Sequence, residues 1–126
     1  MAISLYKIGD MYRNGYYVRK NEKEAFNIYD RCARTMTDEA AAVCGADVYM
    51  RLADCFADGI GIEKNLKFAM ALYQRAEQMF YDRLEKGDYM IKGNYKRSIE
   101  KQNEIRDELS RALPDYGWTE GKKTND

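Results

Sequence analysis

Apolar residues recur at helical spacing along most of the chain. Leu5, Ile8, Met11 and Tyr12 share one face of a first segment, which Arg13-Asn14-Gly15 interrupts. Ala25, Ile28, Tyr29, Cys32, Ala33 and Met36 form a second stripe. Asn21 stands ahead of it as an N-cap, and Glu24 three residues on completes the spacing of a capping box. A third stripe runs through Val48, Tyr49, Leu52, Ala53, Cys55 and Phe56. After Asn65, a fourth carries Phe68, Ala69, Leu72, Tyr73, Ala76, Met79, Phe80 and Leu84, about five turns at 3.6 residues per turn. Gly87 and Asp88 predict a helix stop followed by a new N-cap. A fifth helix is expected from Tyr89 to Leu113, ended by Pro114. Its stripe is thinner: Ile99, Ile105, Leu109, Ala112 and Leu113, with Gln102 inside it. The tail "TEGKKTND" is polar, and Tyr116 and Trp118 are expected to tuck back onto the last helices. No β-alternation competes with these patterns.

The stripes repeat. Leu5–Ala33 laid over Tyr49–Glu77 needs no gap and gives eight identities in 29 positions, against about two expected by chance. They are Asp10/Asp54, Gly15/Gly59, Lys20/Lys64, Asn21/Asn65, Lys23/Lys67, Ala25/Ala69, Tyr29/Tyr73 and Arg31/Arg75. Ile8/Leu52, Gly9/Ala53, Tyr12/Phe56, Val18/Ile62 and Ile28/Leu72 keep their chemistry. Each copy reads as helix, turn, helix.

The second copy carries Leu52-Ala53 with Phe56, Gly59-x-Gly61-Ile62, Lys64-Asn65, Lys67-x-Ala69 and Tyr73-x-x-Ala76. The first carries Ile8-Gly9, Tyr12, Gly15, Val18, Lys23-x-x-Phe26, Tyr29 and Ala33. Together they resemble the SEL-one-like repeat, a relative of the tetratricopeptide repeat, over about residues 3–85. Tyr17 replaces the usual second turn glycine, Asn21 and Asn65 replace the more usual Asp, and "TMTDEAAAVCGAD" is extra length. The resemblance implies an all-α, right-handed α-solenoid of two helix-turn-helix repeats plus a C-terminal capping helix. It implies protein or peptide binding, usually as an adaptor, and no catalytic residues. The expected organisation is a single domain: repeat one over 1–36, repeat two over 37–87, the cap over 88–113 and a tail over 114–126.

The physical reading runs the same way. Small residues at Gly9, Ala33, Ala53 and Ala76 let helix backbones approach, while Tyr12, Tyr29, Phe56 and Tyr73 fill the space between helix pairs. A tyrosine placed this way keeps its hydroxyl wet or paired.

Composition narrows function. The chain has 21 basic and 21 acidic side chains and no histidine. Zero net charge argues against broad nucleic-acid or anionic-membrane binding. No apolar run reaches a membrane span of about 18 residues, and "MAISLYKIGD" lacks a signal-peptide pattern. Without histidine there is no Ser-His-Asp or Cys-His arrangement and no common zinc site. A carboxylate enzyme would have to use acids such as Asp54, Asp58, Asp82 or Glu85, but these are interspersed with bases as on a solvated face. Cys32, Cys44 and Cys55 are odd in number and without metal-ligand spacing, which points to free thiols in the cytoplasm. The basic residues Lys92, Lys96, Arg97 and Lys101 lie near Tyr89 and Tyr95, but Glu100, Glu104, Asp107 and Glu108 offset them.

The stretch "GIGIEKN" has two glycines ahead of a helix, yet lacks a preceding strand, a third glycine and a Lys-Ser/Thr pair, so a turn with a cap is expected there rather than a phosphate cradle. No catalytic, cofactor or metal residue is expected. The expected function is a protein- or peptide-binding scaffold using the concave face of the stack, where helix phase places Lys7, Asp10, Asn14, Asp47, Met50, Arg51 and Asp54. Asp10 and Asp54, being duplicated, have a structural hydrogen bond as their alternative role. The alternative functions are a self-assembling helical protein and a histidine-free carboxylate enzyme. Two repeats are few for this architecture, so a homodimer, or a fragment of a longer array, is expected.

Overall fold

The computed structural model describes residues 4–113, so the expected docking of Tyr116 and Trp118 and the stop at Pro114 lie outside the described residues. Helices follow one another as α1 (Leu5–Asn14), α2 (Glu22–Thr35), α3 (Asp38–Ala40), a π-helical segment (Ala41–Gly45), α4 (Ala46–Asp58), α5 (Leu66–Glu85), a 3-10 turn (Tyr89–Ile91) and α6 (Lys92–Ala112). There is no strand among the described residues. The fold is an all-α helical-repeat solenoid: α1 pairs with α2, α4 pairs with α5, and α6 packs on α5.

Both front helices end alike. Gly15 and Gly59 take φ 75° and 72°, the left-handed cap that glycine adopts without steric cost. The Met11 carbonyl then accepts from the N–H groups of Gly15 and Tyr16, and the Cys55 carbonyl from those of Gly59 and Ile60. Both back helices also begin alike. Asn21 Oδ1 accepts from the Glu24 N–H at 3.0 Å, and Asn65 Oδ1 from the Phe68 N–H at 3.1 Å. The expected capping box is only half formed, because the Asn21 N–H donates to the Tyr12 carbonyl at 2.8 Å. Asn65 does the same to Phe56, also at 2.8 Å. The cap residue thereby ties the end of each front helix to the start of its partner.

The second copy's extra length is helical. Thr37 caps α3 through its hydroxyl, which accepts from the Ala40 N–H, and the π-helical turn carries the chain directly into α4. Asp88 departs from its expected role: its side chain makes no cap bond and instead accepts from Arg83 Nη2 at 2.8 Å.

Two apolar clusters form the core. One joins Ala25 and Tyr29 of α2 to Leu52 and Cys55 of α4 and to Ile60. The other joins Met50 and Ala53 of α4, Ala69, Tyr73, Ala76 and Phe80 of α5, and Ile105 of α6. Tyr29, Tyr73 and Phe80 are fully buried, each contributing about 2–3 kcal/mol by area removed from water. A Cβ at Gly9 would lie 2.6 Å from the Tyr29 ring, which explains the small residue there. Phe68 does not join the core: it is 57% exposed. In the turn, Ile60 is the buried residue, and Ile62 sits at the edge.

The second turn glycine sits at a close backbone contact between the repeats. Gly61 has φ 71°, and a Cβ there would lie 2.2 Å from the Glu22 carbonyl oxygen and 2.9 Å from Lys23 Cα. The turn of repeat two therefore rests on the backbone at the start of α2. Tyr17, its counterpart, also has positive φ (68°), but its side chain is 95% exposed. Each turn therefore carries a second residue of positive φ two positions after its cap glycine.

At the other flank α6 begins as a third front helix. Asn103 stands where the earlier copies have Gly15 and Gly59, and without glycine the helix runs on to Ala112. Gln102 is buried and donates to Glu77 Oε1 at 2.6 Å and the Ser98 carbonyl at 3.2 Å. Lys64 Nζ meets Glu108 Oε2 at 2.6 Å, fastening α6 over the second turn. The lower stripe of α6 stays open, with Leu109 and Leu113 exposed.

Candidate functional site

The front helices α1, α4 and α6 share one side of the stack and enclose a cavity of about 270 Å³. Asp10, Arg13 and Asn14 come from α1; Asp47, Met50, Arg51 and Asp54 from α4; Phe80 from α5; Asn94 and Arg97 from α6. Six of the seven sequence-predicted residues meet here. Lys7 does not: it is exposed and its ammonium lies 5.4 Å from the Tyr6 ring centroid.

Helix phase accounts for Arg13, one turn beyond Asp10 on α1. Asn94 and Arg97 were missed by stopping the comparison at two copies. Extended a third time at the same offset, Met50 maps onto Asn94, Ala53 onto Arg97 and Asp54 onto Ser98.

The walls are built from ion pairs between the repeats. Arg51 grips Asp10 with two hydrogen bonds, Nε to Oδ1 at 2.7 Å and Nη2 to Oδ2 at 3.0 Å. Its remaining Nη1 donates to the Asp47 carbonyl at 3.1 Å, and its guanidinium lies 4.7 Å from the Tyr6 ring centroid. Arg13 Nη1 reaches back to Asp54 Oδ2 at 3.3 Å. Each aspartate also takes a tyrosine hydroxyl from the helix behind it: Tyr29 donates to Asp10 at 2.5 Å, and Tyr73 donates to Asp54. Asp54 is 4% exposed and Met50 5%, so they form the floor of the cavity.

Burial, then the hydrogen bond to Asp10, pushes the Tyr29 phenol well above its usual pKa. Burial, then the Asp54 charge and the bond to it, does the same for Tyr73. Both hydroxyls thus stay protonated donors. Burial alone would lower the basicity of Arg13 and Arg51, but Asp54 and Asp10 more than offset it, and both stay charged.

Asp47 Oδ2 lies 3.9 Å from Arg83 Nη1, and Arg83 also donates to Asp88 through Nε and Nη2. Among the described residues Arg97 has no hydrogen-bond or ion-pair partner, and Asn94, one turn earlier on α6, is exposed beside it. Among the described residues the cavity is lined by positioned donors and acceptors and by no cysteine, serine, threonine or lysine. The cysteine thiols are shifted toward the unreactive form: burial pushes Cys55 up to about 12, and burial raises Cys32 and Cys44.

A second, apolar cleft of about 490 Å³ lies between α2 and α5 on the opposite side. Phe26, Phe56 and Phe68 line it in successive edge-to-face contacts, with centroids 5.6 and 5.0 Å apart. No helix among the described residues is long and apolar enough to cross a membrane, and none of them form a group of three or more metal-ligating His, Cys, Asp or Glu. The loop that carries Gly59 and Gly61 is packed on the backbone of Glu22 and Lys23, a protein contact rather than an open cradle.

Comparison with known proteins gives one family: the model described as Sel1 repeat matches residues 2–34 and 46–79. No curated protein and no solved structure matches the chain.

Proposed function

Because the chain belongs to the Sel1 repeat family, whose repeats generally serve protein interaction, we propose that it is a non-catalytic protein- or peptide-binding scaffold and that the cavity between α1, α4 and α6 receives the partner. The observation that carries this reading is the convergence of three front helices on one polar cavity whose ion pairs are held rigid by buried tyrosines. Groups fixed this way lose little conformational entropy on binding. A cytoplasmic setting fits three cysteines of odd count. Self-association to a homodimer is a further part of the reading, resting on the small number of repeats; light scattering that gives a monomer mass at high concentration would remove it.

The test is selection of binders from a random peptide library on the immobilised chain, followed by NMR mapping on backbone amides. Binders that shift α1, α4 and α6 support the reading. Binders that shift only the α2–α5 cleft, or no binders at all, overturn it.

A further inference from the structure

Phe26, Phe56 and Phe68 run from α2 through α4 to α5 along the apolar cleft, each ring meeting the next edge to face, at 90° and 89°. The series stops at Phe68, which is 57% exposed. The repeat itself does not call for an aromatic there, since the counterpart of Phe68 in the first copy is Glu24. Ile62, also on the cleft wall, is exposed at its edge. Asp30 stands on the same wall as a hydrogen-bond acceptor. The cleft therefore suits one more flat ring that carries an N–H: Phe68 offers the ring an edge-to-face contact, and Asp30 offers the N–H an acceptor.

The chain itself carries such a ring just beyond α6. The helix ends at Ala112, and Leu113 leaves it extended, at ψ 141°, as a residue before proline does. Residues 114–126 follow, and Tyr116 and Trp118 are their only large apolar side chains. The place where α6 ends favours the cleft. Lys64, which meets Glu108 at 2.6 Å, borders a hollow of about 390 Å³ that shares Phe56, Ile62 and Phe68 with the cleft. Leu113 is five residues past Glu108, about 7.5 Å along the helix axis. The next five residues, to Trp118, extend to about 17 Å, and Pro114, Asp115 and Gly117 are turn formers that let the chain double back. Tethering also holds the ring at an effective concentration on the order of 1 mM, which a free partner must outcompete.

We propose that residues 114–126 fold back over the second turn and seat the Trp118 indole in the cleft between α2 and α5, against Phe68. This seat is on the opposite side from the polar cavity, so it stands or falls separately from the binding reading above.

Trp118 is the chain's single tryptophan, so its fluorescence reads the seat directly. Emission and acrylamide quenching of the full chain are compared with those of a synthetic peptide of residues 114–126, and nuclear Overhauser spectra are searched for contacts between the indole and the Phe68 ring. A blue-shifted emission, a severalfold loss of quenching and indole–Phe68 contacts are expected, with the emission unchanged on dilution. Phe68→Gln is expected to return emission and quenching to the peptide's values. Its far-UV circular dichroism should stay that of the parent, because the Phe68 side chain already faces solvent over most of its surface. Leu109→Gln, on the open stripe of α6, is expected to leave the Trp118 signals unchanged. If Phe68→Gln misfolds, the indole–Phe68 contacts in the parent chain decide alone. Emission equal to the peptide's overturns the proposal and leaves the cleft to another molecule. A blue shift lost on dilution overturns it in favour of a second copy's tryptophan. A blue shift kept in Phe68→Gln but lost in Leu109→Gln places the indole on α6 and overturns it as well.

Discussion

Tyr73 donates its hydroxyl to Asp54 from a ring with no solvent exposure, and the same bond links Tyr29 to Asp10 one repeat earlier. Both bonds span 19 residues, from a front helix to its own back helix. Removing only the hydroxyl leaves the buried Asp54 carboxylate with Arg13 as its one remaining side-chain partner. Tyr73→Phe is expected to cost about 1.5–3 kcal/mol, and Tyr73→Ala about 3 kcal/mol or more. Thermal or urea melts measure both, and a Tyr73→Phe melt that matches the parent would remove the bond from any energetic role.

Stability should fall on the alkaline side. A group whose pKa is higher folded than unfolded stabilises the fold below its unfolded value, and that stabilisation is lost as pH rises toward the folded value. Cys55 moves from 9.0 to about 12, and Tyr29 and Tyr73 move upward from 10.0. Loss is therefore expected to begin above pH 9 through Cys55 and to steepen above pH 10 through the two tyrosines. Urea midpoints measured from pH 7 to 11 check this. Cys55→Ala should flatten the first part of the limb.

The clamp between α1 and α4 is a stability element before it is a binding one. The side chains of Arg51 and Asp10 are only 22% and 24% exposed. Arg51→Ala is expected to cost about 1–2 kcal/mol, and a double-mutant cycle with Asp10→Ala should give a coupling of about 1 kcal/mol or more. Additive single effects would show that the pair contributes nothing. Charge reversal at Arg51 or Asp54 consequently tests folding first, and Arg97 is the cleaner position for a binding test.

Two turn residues should respond in opposite directions. Gly61→Ala brings a Cβ against the Glu22 carbonyl at a left-handed residue, for an expected loss of about 2 kcal/mol or more. Tyr17→Gly relieves a left-handed tyrosine whose ring touches little. Less the entropy cost of glycine, it should gain about 0.5 kcal/mol. Melting temperatures that fall together would contradict this account.

Much of this was legible because a duplicated residue usually has a duplicated partner. Asp10/Asp54 and Tyr29/Tyr73 are four members of two identical bonds, and Gly15/Gly59 and Asn21/Asn65 are the same cap and the same tie twice over. Contacts between repeats could not be read this way. Arg51 answers to Lys7, and Arg13 to Ala57, so the ion pairs that wall the cavity leave no periodic trace. Gly61 is hard to read from the repeat for a related reason: its counterpart Tyr17 is exposed, with no helix pair packed on it among the described residues, so the two turns compared do not reveal what the glycine is for. Phe68 sits on the apolar stripe by phase, yet faces an open cleft, because periodicity gives a direction and not what lies in that direction.

Tyr17 and Asn103 stand where the second repeat has Gly61 and Gly59. A helix pair laid against α1 as the first repeat lies against the second would bring a backbone carbonyl into the Cβ of Tyr17. On the far flank, Asn103 lets the helix run through the point where a hairpin would have turned. Both marks are single residues, and neither depends on how many units stand between them. Splicing another copy of the second repeat between Glu85 and the start of α6 would lengthen the stack by one step while keeping both of these residues in place, so the reach of the scaffold is set by its middle.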